Sequence, residues 1–209
     1  MCIRDRIYSV SSDEIPLSNL RNGWSEQDPE SWIVALETCL KKLQLKIDFQ
    51  QIKSISFSGH MHGATCLNEK NEIIRPCILW NDTRSHQECE EIMRDNTVKD
   101  IAGNIAMPGF TAPKVLWLKY NEPENFKSIN KVLLPKDFLR FYLTGDFYSD
   151  LSDASGTYWL DIAKRDWSQK LLDAGSMQIS QMPKVCEGTD QTGTLKKEIA
   201  DKYLSLIHI

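Results

Sequence analysis

The 209-residue chain has no long apolar run, and nothing in it approaches the roughly 18 consecutive apolar residues that span a bilayer. No apolar h-region stands near the N-terminus, so the expectation is a chain without a secretory signal. It also lacks a surplus of positive charge. The 25 basic residues are outnumbered by 29 acidic ones, for a net charge of −4, which leaves no electrostatic footprint for nucleic acid. Basic pairs such as Lys41-Lys42 and Lys196-Lys197 read as solvated helix faces. Six cysteines are few and scattered, with no CxxC pair, so neither a disulfide scaffold nor a cysteine zinc site is expected. Reduced thiols in a cytoplasmic protein follow from these absences. No two of the ten glycines are adjacent. There is no GxGxxG, GxxxxGK[ST] or GxSxG, which excludes a Rossmann or P-loop phosphate cradle and a serine nucleophile elbow. No repeat and no low-complexity tract interrupts the chain.

What is present is the composition of a globular protein, 41% apolar and 26% charged, with helix-like and strand-like segments in alternation. That alternation points to an α/β fold. Asp28-Pro29 reads as an N-cap followed by the first helical residue, and Trp32, Leu36, Leu40 and Leu43 form one stripe. Ile52 to Ser58 alternates and predicts a strand that ends in the turn Gly59-His60-Met61-His62-Gly63. Residues 64–67 and 72–80 read as paired strands around a turn at 68–71. Asp82 is placed to cap a helix through Glu88, Glu91 and Met93, with Arg84 as its ion-pair partner or a carbonyl clamp. Thr111 and Pro113 start another helix. Lys131 to Leu134 reads as a strand, and Asp137 to Leu143 as a helix stopped by Gly145. Tyr148 to Thr157 reads as a polar loop, followed by a strand near 158–161 and a helix near 167–174.

Three constellations bear on chemistry. His60 and His62 would share a face if they lay on a strand, but the remaining histidines are His86 and His208 and no cysteine cluster sits nearby, so no metal site is expected. The glycine-flanked turn instead projects Met61 and His62 from a strand end, where open α/β sheets bind small ligands. A neutral imidazole both donates and accepts, which suits a polyhydroxyl substrate. Spacing alone leaves this open beside a histidine satisfied within its own turn. Asp150, Asp153, Ser155 and Thr157 crowd one polar stretch. Asx and Ser/Thr turns explain them, and a general base is the alternative. Asn81 and Asp82 stand second in line for a substrate role.

Several segments together resemble the bacterial xylulokinases. They are Gly-His-Met-His-Gly at 59–63, Arg-Pro-Cys-Ile-Leu-Trp-Asn-Asp-Thr-Arg at 75–84 and Gly-Asn-Ile-Ala-Met-Pro-Gly-Phe-Thr-Ala-Pro-Lys at 103–114. Leu-Leu-Pro-Lys-Asp at 133–137, Ser-Asp-Ala-Ser-Gly-Thr at 152–157 and Lys-Arg-Asp-Trp-Ser at 164–168 continue the series, which is collinear from about Trp24 to Ala200. The resemblance implies an FGGY carbohydrate kinase with an actin-like, ribonuclease H-like domain, a mixed sheet flanked by helices and incomplete at both ends. It implies ATP-dependent phosphorylation of D-xylulose to D-xylulose 5-phosphate in xylose metabolism, with ATP and Mg²⁺, and it admits a homodimer of the intact enzyme. The family's sugar contacts carry over to Met61 and His62. The preceding residue is commonly Gln there and is His60 here, which bears on fine substrate preference.

No catalytic residue and no metal ligand carries over. The family's general-base aspartate lies in a segment beyond the C-terminus of this chain. The expected organisation is a partial sugar-binding domain over 7–203, with non-native flanks at 1–6 and 204–209. Such a fragment is expected to be inactive alone. The rival readings are another FGGY sugar or polyol kinase and a non-catalytic sugar-binding domain.

Overall fold

The computed structural model describes residues 7–203, so the two expected flanks lie outside the described residues. After an N-terminal stretch without regular secondary structure, β1 (Glu26–Gln27) leads into α1 (Pro29–Gln44). Asp28 accepts the Glu30 N–H with its side chain, and Pro29 occupies the first turn, as the sequence predicts. Trp32 of the expected stripe is buried, while Leu36, Leu40 and Leu43 pack at the edge of a core cluster.

β2 (Thr65–Leu67), β3 (Cys77–Ile78), α2 (His86–Ile92), α3 (Thr97–Ala102), α4 (Thr111–Asn121) and α5 (Pro123–Lys127) follow. Then come β4 (Lys131–Leu133), α6 (Pro135–Thr144), β5 (Tyr148–Asp150) and α7 (Leu151–Ser155). The last elements are β6 (Leu160–Asp161), β7 (Asp166–Trp167), α8 (Gln169–Ala174), β8 (Lys184–Cys186) and α9 (Lys197–Tyr203). No helix among the described residues is long and apolar enough to cross a membrane.

The strands pair in short ladders of both directions. β1 with β3, β2 with β4 and β6 with β7 are antiparallel, and β5 with β8 is parallel. Cys66 sits opposite Val132 in the second ladder, and a bridge from Ala64 to Ile78 ties β3 beside it. The largest core cluster runs from Ala64 and Cys66 through Val115, Leu116 and Trp117 to Trp159 and Leu172. α4 is its spine, buried along Thr111–Leu118.

Three sequence expectations are corrected. Ile52–Ser58 belongs to no strand; among the described residues it finds no ladder partner, and most of it is exposed. Alternation describes a face, but a strand needs a neighbour to hydrogen-bond. The stretch 148–157 is not a loop but β5 and α7, with Asp150 capping α7 by accepting the Asp153 N–H. Asp82 caps no helix. Its carboxylate is spent on the Ser25 N–H at 2.6 Å and on Arg84, so Ser85 holds the N-cap position of α2. The ion pair with Arg84 does form, at 2.7 Å, and the guanidinium lies 3.6 Å over the Trp24 ring.

Candidate sugar-binding site

The turn at 59–63 is held from below by its glycines. A side chain at Gly63 would meet Pro135 Cγ at 2.5 Å and Cys77 Sγ at 3.0 Å, and one at Gly59 would press on Lys136. This close packing of the turn on the start of α6 fixes where Met61 and His62 stand. His62 adopts the left-handed conformation, with φ of 65°. Its carbonyl oxygen accepts from Thr111 Oγ1 at 3.1 Å and from Lys114 Nζ at 2.9 Å. Its Nδ1 lies 2.8 Å from the Gly156 carbonyl. A carbonyl only accepts, so Nδ1 carries the proton and Nε2 of the neutral ring remains an acceptor. The ring leans on Phe110, centroid to centroid 4.8 Å. Burial pushes the His62 pKa down, and the Lys114 charge adds to this against the bond to Gly156 and the Asp153 carboxylate.

His60 goes elsewhere. Its ring meets Trp32 edge-on at 5.5 Å, and burial likewise lowers its pKa. The two histidines therefore do not converge on one point. Met61 is 48% exposed.

Met61 and His62 border an open cleft of about 720 Å³, shared with Phe110, Asn104, Gly156 and Lys136. Its polar wall centres on Lys136. The ammonium reaches Asp137 at 2.8 Å, Asp150 at 2.9 Å and Asp153 at 2.9 Å. Burial alone would lower the Lys136 pKa, but the Asp137 and Asp153 carboxylates outweigh it and hold the lysine charged well above its ordinary value. Asp137 is itself deeply buried, and burial raises its pKa despite that partner. Asp150 is lowered: burial is outweighed by Lys136 and the Asp153 N–H.

The cleft thus offers an aromatic face, an imidazole acceptor, a cation and two carboxylates within one wall, the functional groups that bind neutral polyols by hydrogen bonds. Asn81 is exposed and Asp82 is buried in its ion pair; neither borders the cleft. Phe110, Lys114 and Lys136 were not singled out from sequence. The one available signal was Lys114, a charged residue inside an otherwise apolar helical run.

The sequence profile of the FGGY family of carbohydrate kinases, N-terminal domain, matches residues 4–206. The chain belongs to the FGGY carbohydrate kinase family. It is 47% identical over 198 residues to xylulose kinase of Escherichia coli (strain K12), covering 94% of this chain and 41% of that protein. It is 45% identical to xylulose kinase of Lactococcus lactis subsp. lactis (strain IL1403), covering 94% of this chain and 40% of the relative. The fold superposes on the crystal structure of a xyloylose kinase from Brucella ovis with a TM-score of 0.91 at 47% identity, over 93% of this chain and 40% of that one. A gluconate kinase from Lactobacillus acidophilus gives a TM-score of 0.85 at 28% identity, over 91% of this chain and 39% of that one. This FGGY chain therefore has the actin-like, ribonuclease H-like fold expected of it, and it spans about 40% of the length of the relatives it matches.

Proposed function

We propose that the protein carrying this chain is a xylulokinase, transferring the γ-phosphoryl group of ATP to a hydroxyl of D-xylulose in the presence of Mg²⁺. The observation that carries the reading is the 47% identity to a xylulose kinase along nearly the whole chain, with Met61 and His62 on one open polar cleft. The role of the described residues is to bind and orient the sugar. His62 Nε2 accepts from a sugar hydroxyl, Met61 covers an apolar edge, and Lys136 with Asp150 and Asp153 offers further donors and acceptors. Orientation matters because phosphoryl transfer is governed by in-line placement and charge stabilisation.

ATP and Mg²⁺ belong to this reading as family cofactors. The described residues contain no glycine-rich phosphate loop and no group of three or more His, Cys, Asp or Glu able to hold a metal. They do not fit either group. A cytoplasmic location and a homodimer of the whole enzyme complete the proposal.

The gluconate kinase likeness favours a second reading, an FGGY kinase for a different sugar acid or polyol. A coupled ADP-release assay on the product of the full reading frame decides. D-xylulose should give the highest kcat/KM in a panel with gluconate, glycerol and other ketoses; preference for another member overturns the substrate. The 209-residue chain alone should release no ADP above background.

A further inference from the structure

α4 carries a lysine where the rest of its buried face is apolar or small. None of Lys114 is exposed, and no carboxylate pairs with it among the described residues. A buried cation without a counter-ion is costly, and a methionine would fill the same space more cheaply. The hydrogen bonds of Lys114 indicate what offsets that cost. Its Nζ donates to the Gly109 carbonyl at 2.6 Å and to the His62 carbonyl at 2.9 Å. Gly109 directly precedes Phe110, the ring against which His62 rests. One ammonium therefore ties together the two backbone segments that bring His62 and Phe110 to the cleft. Thr111 Oγ1 adds a second donor to the same His62 carbonyl at 3.1 Å. Both donors act at a residue whose left-handed backbone, with φ of 65°, is uncommon for residues other than glycine.

We propose that Lys114, assisted by Thr111, is a positioning residue for sugar recognition: it clamps the His62 carbonyl and so sets the imidazole at the cleft. The inference rests on the reading of His62 as a sugar contact. Lys114 itself touches no substrate, since its ammonium is sealed beneath the turn. Burial pushes its pKa down to about 7, yet the amine donates to carbonyls in either protonation state.

The test is a double-mutant cycle in the full-length enzyme, with KM for D-xylulose and for ATP measured separately. Lys114→Met should raise the sugar KM by about tenfold, the effect of one lost charge-assisted hydrogen bond, and leave the ATP KM within about twofold. His62→Ala should raise the sugar KM as well. Because Lys114 acts through His62, the double variant should be no worse than the worse single one, whereas independent effects would multiply. Multiplying effects, or an equal rise in both KM values, overturn the clamp. A raised sugar KM in His62→Ala beside an unchanged one in Lys114→Met also overturns the clamp alone. An unchanged KM in His62→Ala overturns the sugar-contact reading and the clamp with it. Should Lys114→Met not fold, Thr111→Val decides: a rise of several-fold, not multiplied by His62→Ala, supports the clamp, and an unchanged KM overturns it.

Discussion

His62 is gripped from three sides, by a carbonyl at its Nδ1, an aromatic ring on its face and two donors on its backbone oxygen. Such a grip has a pH signature. Burial lowers the pKa of His62 and of His60, and it lowers Lys114 to about 7. In each case the unfolded chain binds the proton more readily than the folded one. Stability therefore rises with pH through these groups. The histidine contribution is complete above the ordinary imidazole value of about 6.5 and is lost as pH falls through the folded values. The thermal midpoint of the chain should drop between about pH 7.5 and about pH 5.5, and replacing both His60 and His62 by Asn should flatten that slope. An unaltered slope in the double variant would show that neither ring is desolvated in the way described. The turn that carries Met61 and His62 was legible in the sequence because its flanking glycines mark it locally. Lys114 was not, because its acceptor lies 52 residues away along the chain.

Among the elements, helices with local punctuation were read well. α1 has its Asp28 cap and Pro29, and α6 has Pro135 in its first turn and Gly145 at φ of 84° beyond its last. α7 was missed because it is five residues long and rich in Asp and Ser, which reads as a turn. It matters to the cleft through the residue that ends it. Gly156 has φ of −75°, which any residue adopts, so conformational freedom does not explain the glycine. Space does: a Cβ there would lie 2.4 Å from His62 Cε1 and 2.6 Å from Nδ1. Gly156→Ala should therefore displace the imidazole without straining the backbone. Destabilisation of about 1–3 kcal/mol is expected from overpacking. In the full-length enzyme the sugar KM should rise several-fold, and calorimetry with steady-state kinetics checks both; an unmoved KM would separate ring position from sugar binding. Strands were read less well, because a two-residue strand such as β1 or β7 has no periodicity to detect.

For the whole molecule, the core divides into a large cluster along α4, a second around Trp32, Leu67 and Phe138, and a third that joins Phe49, Leu143, Ile199 and Tyr203. Against these stands the stretch 53–61, whose N–H groups find no backbone acceptor among the described residues. Hydrogen exchange should reflect the contrast. Amides of 53–58 in this chain should exchange rapidly, while those of residues 115–118 in α4 should be the slowest, opening only with the global transition. Mass-resolved exchange on the isolated chain measures this, and slow exchange at 53–58 would mean that the stretch pairs after all. The alternation of Ile55 and Phe57 with Ser54, Ser56 and Ser58 is that of a strand with one apolar face.

The sequence by itself determined the α/β class, the family likeness, the first helix with its Asp28 cap and the turn that carries Met61 and His62, because each is written in short local patterns or in their order along the chain. Only the tertiary structure decided which strands pair and that Asp82 accepts from the distant Ser25 N–H rather than capping a helix. It alone brought Lys136 to Asp150 and Asp153 and closed Lys114 over the His62 carbonyl. Those outcomes depend on partners far apart along the chain, and a hydrogen bond or a desolvated charge has no energy until folding brings its partner within about 3 Å.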